Sequence, residues 1–333
     1  MTMATHPLGS TTLFADLDVN VELDAPLAQH TWYGIGGSAD ALVRPQTPEA
    51  LATLLRRCSR NAVRVRILGE GANLLVADEG VEGVVVRLDA PCFKGLQLNA
   101  NGPVTAARVG GGRDLGKTIR ETVAAGLAGL EPLIGIPATI GGAVRMNAGG
   151  KYGAIGDTLQ SVGLVDWNGE EHVYDRAAIR CEYRHTDLPP GIVTWAVLSL
   201  QAADPVALRA RSKEISEYKA SVQPLAAHSA GCMYKNPIHP ATGVRISAGK
   251  VIDDAGLKGT RVGGALVSGQ HGNFIVVEPG ARAADVMELA ALVAAETFAR
   301  TGARLEREVI SLEIPPVRSA PLGSAPDALA VEE

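Results

Sequence analysis

Apolar and polar positions follow two rhythms along this chain. Leu51, Leu54, Leu55 and Cys58 recur at the spacing of one helical face, behind Thr47-Pro48-Glu49, which supplies an N-cap, a proline at the first helical position and an acid in the first turn. Val63, Val65 and Ile67 then alternate with Arg64 and Arg66, as in a half-buried strand, which runs into Gly69-Glu70-Gly71-Ala72-Asn73. Val84–Val86 reads as the next strand.

A second α/β unit opens with a strand near Val104–Val109. Its helix starts about Asp114, buries Leu115, Ile119 and Val123, and stops at Gly126. Beyond the Gly/Pro-rich stretch Gly135–Gly153, Asn168-Gly169 sits between two alternating runs (Ser161–Asp166 and His172–Tyr174), which predicts a type I′ hairpin. Ile192–Leu200 is a further strand. Pro205 begins a polar helix ending near Pro224. A third unit holds a strand over Asn273–Val277, a long helix from Ala283 with Val286, Leu289, Val293 and Phe298 on its apolar face and Gly302 as its stop, and a last strand over Leu305–Leu312.

Composition narrows the class. With 333 residues, 46% of them hydrophobic, the chain can bury two or three cores. A net charge of −5 without a basic block argues against nucleic acid. The four cysteines (Cys58, Cys92, Cys181, Cys232) form no C-x-x-C pair, so neither a disulfide framework nor a zinc site is expected. Residues 1–20 carry no signal-peptide pattern and no apolar run is long enough for a membrane helix, so a cytoplasmic protein is expected. From Pro315 the tail has too little apolar content to pack.

The glycines carry the first chemistry. Neither Gly69–Asn73 nor Gly135–Gly149 is a dinucleotide G-x-G-x-x-G or a phosphate-loop G-K-[ST]. Alone, either segment is a strand-end turn. Two such segments together can set several main-chain N–H groups around a pyrophosphate.

Five segments, in order, resemble the UDP-N-acetylenolpyruvoylglucosamine reductase (MurB) family: Thr31-Trp-Tyr-Gly-Ile-Gly-Gly37, Leu68–Leu75, Gly135–Ala143 with Asn147-Ala148-Gly149, Tyr183-Arg184, and Gly231-Cys-Met-Tyr-Lys-Asn-Pro237. Ala248–Asp253, Gly256–Gly259, His271–Val276 and Glu308-Val309 continue the match, which covers about residues 25–312. The order and spacing of these segments make the resemblance specific.

The resemblance implies an α+β fold, with a two-part FAD-binding domain of the vanillyl-alcohol-oxidase (PCMH) type and a C-terminal α/β substrate-binding domain. The expected division is a flexible N-terminus over 1–20, FAD-binding subdomains over 21–90 and 91–204, a substrate domain over 205–314 and a disordered tail over 315–333. It implies FAD and NADPH as cofactors and UDP-N-acetylglucosamine enolpyruvate as substrate, with no nucleic-acid or membrane partner and a monomeric state. NADPH would reduce the flavin, and hydride would pass to the enolpyruvyl double bond to give UDP-N-acetylmuramate.

The resemblance also implies the site. Gly69, Glu70, Gly71, Asn73, Ile136, Pro137, Ala138, Thr139, Gly141, Gly142, Asn147 and Ala148 would bind FAD. Tyr183, Lys219, Lys235, Asn236, Lys250, His271 and Asn273 would bind substrate, with Asn236 orienting Cys232. Arg184, Cys232 and Glu308 would be catalytic. Arg184 suits a place beside an enolate, where a fixed guanidinium stabilises developing charge, although in isolation it would read as a surface partner of Glu182 or Asp187. Glu306 is a decoy for Glu308: strand alternation sets both on one side, and the family's closing L-x-x-E pattern selects Leu305 and Glu308. That carboxyl would hold or protonate the enolate if burial kept it partly protonated.

Cys232 stands where many relatives carry the serine that protonates the substrate carbon. A lone cysteine is otherwise a small buried hydrophobe. A thiol, of reference pKa about 8.5, yields its proton more readily than an alcohol, at the risk of oxidation as thiolate. Ala138 for Gly and Val277 for Asn also depart from the family pattern, and the short interval between Arg184 and Cys232 resembles the subclass without an extra substrate loop. Two other readings compete. One is a flavin oxidase on the same scaffold, of a kind that often attaches its flavin through His or Cys: no attachment motif lies near the first glycine loop, and His30 and Cys92 stay open as sites. The other is a silent flavin-binding module that has lost one chemical residue.

Overall fold

The structure is a computed structural model that describes Leu8, residues 12–101 and residues 104–312. The tail expected to be disordered lies outside the described residues, as does most of residues 1–11.

The first unit is a four-stranded sheet, β1 (Val19–Pro26), β2 (Ser38–Pro45), β3 (Val65–Ile67) and β5 (Val81–Val86), in the order β1-β2-β5-β3, with β4 (Leu74–Val76) beyond the first glycine loop. Strand β2 pairs parallel to β5 and antiparallel to β1. Helix α1 (Pro48–Arg60) starts as its sequence dictates: Thr47 Oγ1 accepts from the Ala50 N–H, Pro48 fills the first turn, and Leu51, Leu54, Leu55 and Cys58 are buried. Residues 12–20 are not a loose lead. Leu13 is buried against the α1 face, and Arg57 Nη1 donates to the carbonyls of Thr12, Leu13 and Ala15.

The second unit is a sheet in the order β9-β8-β10-β7-β6, built from β6 (Leu96–Asn101), β7 (Val104–Gly110), β8 (Leu159–Val165), β9 (Glu171–Asp175) and β10 (Ile192–Ala202). Helix α2 (Leu115–Ala124) is capped by Asp114 and buries Leu115, Ile119 and Val123 against this sheet, and Gly126 follows at φ +69°. The β8–β9 turn differs from expectation. Only Gly169 is left-handed, and Asp166 Oδ1 accepts from the Asn168 and Glu170 N–H groups. The aspartate stabilises a type I turn with a bulge in place of type I′. Helix α3 (Ile140–Arg145) lies within the second glycine segment and packs on β10.

Helix α4 (Pro205–Val222) was expected to open the third unit, yet its Leu208 is buried in the second core. The third core gathers α5 (Ala248–Asp254), α6 (Ala283–Thr301) and the antiparallel strands β11 (Arg261–Val262), β12 (Ala265–Val267) and β13 (Ile275–Val277). Gly302 at φ +71° ends α6 as predicted. Phe298 leaves the apolar face, half-buried beneath the Arg304 guanidinium, and Thr297 is buried in its stead. The final strand is shorter than expected. Only β14 (Ile310–Leu312) is regular, and it crosses back to pair in parallel with β4 of the first unit.

Candidate active site

The two glycine segments meet. A Cβ built on Gly69 would lie 2.8 Å from Thr139 Oγ1, the hydroxyl that caps α3 by accepting from the Gly142 N–H. Gly71 sits at φ +66°, where a Cβ would lie 2.1 Å from the His30 carbonyl oxygen, so only glycine fits that turn. Among the described residues the main-chain N–H groups of Gly69, Glu70, Gly71, Ala72, Asn73, Ala138 and Thr139 donate to no protein acceptor. A run of unengaged amides is a cradle for an anion such as a pyrophosphate, and a Cβ at Gly69 would narrow it. The residues present therefore fit FAD.

Other predicted cofactor residues are committed to the protein. The Gly141 N–H donates to Gly111 O, and Ala148 spends both main-chain groups on Ala143 and Ile155 in the core. Asn147, left-handed at φ +40°, is buried: its Nδ2 donates to Glu182 O at 2.8 Å and its Oδ1 accepts from the Gly156 N–H. Asn73 Nδ2 donates to Glu308 O at 3.1 Å, which ties the first glycine loop to the Glu308 segment. Ile136 and Pro137 are half-buried in the second segment. Ala138 is outside the left-handed region, so its methyl costs no backbone strain there. Val277 packs on the third core.

Arg184 occupies the short hairpin Cys181–Thr186 at φ +58°, a strained value for a side-chain-bearing residue. Bonds to the turn after α3 over-determine it. Thr186 Oγ1 donates to Val144 and Arg145 carbonyls, Asn147 holds Glu182, and Arg184 Nη1 donates to Gly149 O at 2.5 Å. The same guanidinium's Nε lies 2.6 Å from Glu308 Oε1, and the two side chains are only 19% and 12% exposed. Glu306 is instead 73% exposed beside Lys235. Residues 305–309 do not form a regular strand, so the alternation that would have put both acids on one side does not operate.

Cys232 and Glu308 are set by neighbouring extended segments. The Glu308 N–H donates to Met233 O, and the Met233 N–H donates to Asn273 O. Buried Asn273 clamps the Cys232 segment, accepting from the Tyr234 N–H at 2.9 Å and donating to Tyr234 O at 2.8 Å. It takes the orienting part expected of Asn236, whose Oδ1 instead accepts from the Ala248 N–H at the start of α5. Burial raises the Glu308 pKa, and the adjacent Arg184 opposes this less strongly. Desolvation, then the Glu308 charge, pushes the Cys232 thiol up to about 12. The sulfur is therefore held as thiol, and the thiolate expected as an oxidation hazard is suppressed.

The substrate candidates divide. Lys219 Nζ donates to Ile134 O beside the second glycine segment, and burial, then Arg184, lowers its pKa to about 8. Tyr183 lies 5.3 Å (ring centroid) from Arg184 Cζ, and its hydroxyl accepts from the Asn236 N–H. Lys235 pairs with Glu306. Lys250 is exposed and paired with Asp254, and His271 Nδ1 accepts from the Asn273 N–H in a turn under Phe274. These last two, with Asn273, have structural partners. Arg245 escaped the sequence reading: its Cζ stands 4.3 Å from the Tyr183 ring centroid. Its only signal was a basic residue shortly after the Asn236-Pro237 motif. A cavity of about 420 Å³ lies beside Glu70 between Gln29–Trp32, Arg87 and Leu225–His228, and Arg184, Cys232 and Glu308 do not line it. No helix among the described residues is long and apolar enough to cross a membrane.

Residues 223–312 match the C-terminal domain of UDP-N-acetylenolpyruvoylglucosamine reductase, and residues 39–174 match an FAD binding domain. The Desulfosudis oleivorans protein named UDP-N-acetylenolpyruvoylglucosamine reductase is 38% identical, over 90% of this chain and 96% of its own length. The chain belongs to the UDP-N-acetylenolpyruvoylglucosamine reductase family. A Heliobacterium modesticaldum protein of the same name is 40% identical, over 85% of this chain and 88% of its own. The crystal structure of the Thermus caldophilus reductase (MurB) is 38% identical and superposes with a TM-score of 0.73, covering 89% of this chain and 99% of that one. The expected fold class, a two-part FAD-binding domain followed by the MurB C-terminal domain, is the one found.

Proposed function

We propose that this MurB-family chain reduces UDP-N-acetylglucosamine enolpyruvate to UDP-N-acetylmuramate with NADPH, a step in making peptidoglycan precursors. The observation that carries the reading is the convergence of Arg184, Glu308 and Cys232 from three segments, tied by Asn73 to the amide cradle. FAD held by that cradle supplies a hydride acceptor and donor.

The chain's own residues account for the rest. Hydride addition to the terminal CH₂ of the enolpyruvyl group places negative charge on the adjacent carbon and its carboxylate. Arg184, desolvated and fixed, stabilises that charge. Glu308, its pKa raised by burial, hydrogen-bonds the developing enolate when it carries a proton. The Cys232 S–H gives its proton to the enolate carbon, and the resulting thiolate regains one from water. A thiol pushed up to about 12 is a weaker acid than a free one, but a carboxylate-derived enolate is far more basic, so transfer stays downhill.

The proposed state is a monomer in the cytoplasm, since every group invoked comes from one chain and the substrates are soluble nucleotides. The silent-module reading requires a lost chemical residue, and none of the three is lost. Purified FAD-loaded protein mixed with UDP-N-acetylglucosamine enolpyruvate should consume NADPH and form a product two hydrogens heavier by mass spectrometry. Flavin-loaded protein that consumes no NADPH overturns the proposal.

A further inference from the structure

Two further cationic side chains without matching acids neighbour the Tyr183-Arg184 hairpin. Arg184 is paired with Glu308, but Lys219 and Arg245 have no carboxylate partner among the described residues: Lys219 donates to Ile134 O, and Arg245 Nη1 donates to Asn236 O at 2.7 Å. Burial, then the neighbouring Arg184, lowers the Lys219 pKa, so a second cation stands close to Arg184.

Arg245 is held, not loose. It belongs to an arm closed by the Ile238–Arg245 bridge and by the His239 N–H to Val244 O bond. Its guanidinium lies 4.3 Å from the Tyr183 ring centroid, and the Tyr183 hydroxyl accepts from the N–H of Asn236, whose carbonyl Arg245 holds. The contact therefore joins the hairpin carrying Arg184 to the segment following Cys232. A carbonyl bond and a stacked ring leave the other guanidinium donors facing solvent, and a planar fork suits a phosphate.

We propose that Arg245 is a specificity-determining residue that binds a phosphate of the incoming nucleotide. The inference rests on the reductase reading, in which two ligands carry such a group: the diphosphate of the UDP-sugar and the 2′-phosphate of NADPH. Isothermal titration of the FAD-loaded enzyme with UDP-N-acetylmuramate, NADP⁺ and NAD⁺ separates them without turnover. Arg245→Met should weaken one of the first two by about tenfold, the worth of a charge-assisted hydrogen bond. Arg245→Lys should recover part of the loss.

Weaker UDP-N-acetylmuramate binding with NADP⁺ unchanged assigns the diphosphate. A collapse of NADP⁺ preference over NAD⁺ assigns the 2′-phosphate. Unchanged binding of all three overturns the inference, as does equal loss for all three with a lowered melting temperature, which marks a structural tie. Tyr183→Phe removes the hydroxyl and keeps the ring, so a loss equal to that of Arg245→Met also overturns it. Wild type that binds neither UDP-N-acetylmuramate nor NADP⁺ removes the reductase reading and this inference together, whereas a variant equal to a binding-competent wild type removes this inference alone.

Discussion

Arg184 Nε and Glu308 Oε1 stand 2.6 Å apart, although the two residues come from different units of the fold. Breaking a desolvated pair from one side leaves a charge uncompensated, so each partner depends on the other. Glu308→Gln keeps shape and burial and removes the ionisable group. The limiting rate of flavin reoxidation by substrate should fall about 10²–10³-fold, as for loss of one transition-state donor. Flavin reduction by NADPH should be unchanged. Where protonated Glu308 is the working form, the parent rate declines as pH rises through its raised pKa, and that limb should vanish in the variant.

Cys232 is expected to behave as an acid and not as a reactive nucleophile. Cys232→Ser should retain substantial activity, while Cys232→Ala should stall after flavin reduction. Because its thiol is pushed up to about 12, Cys232 should react with a thiol reagent near pH 8 more slowly than exposed Cys92. Peptide mapping after brief alkylation gives the order, and preferential labelling of Cys232 would contradict it.

Asn147 offers a test of positioning. Asn147→Ala removes the partners of Glu182 O and the Gly156 N–H, costing about 1–3 kcal/mol for each buried group left unsatisfied. Since that clamp supports the left-handed Arg184, reoxidation by substrate should slow while bound FAD, read from its absorbance, stays near one per chain.

Gly71→Ala should act on the cofactor first. A Cβ 2.1 Å from the His30 carbonyl oxygen forces the first glycine loop to move, on top of about 1 kcal/mol or more for a side chain at positive φ. FAD content after purification should drop sharply. A fully flavinylated variant would show that this loop does not hold the cofactor.

Lys219 predicts a pH dependence of sign opposite to a carboxylate's. It is charged below about pH 8 and neutral above, so anionic nucleotides should bind more weakly as pH rises past that value. Binding above pH 8 should take up a proton, visible as a buffer-dependent heat in calorimetry. Lys219→Met should flatten the profile.

Local rules were written plainly in the chain. Thr47-Pro48, Asp114 and Gly302 mark helix ends because capping needs only adjacent residues, and the face of α1 follows from its spacing. Arg184, Cys232 and Glu308 could be named, but their meeting could not be derived, since it depends on segments 48 to 124 residues apart. The clamping part of Asn147 was hidden for the same reason: its motif pointed to the flavin, and its side-chain partners Glu182 and Gly156 lie elsewhere in the chain. Arg245 was invisible because an exposed basic residue acquires a function only from the ring it stacks on.

The return of Ile310–Leu312 to pair with Leu74–Val76 has a consequence for how the enzyme comes into being. The first glycine loop precedes the acid tied to it through Asn73 by 235 residues. Closing so long a loop is a slow event compared with forming α1 or α2. A ribosome-bound chain can thus assemble the amide cradle well before it can place Glu308 against it, so the two halves of the site are stitched together late.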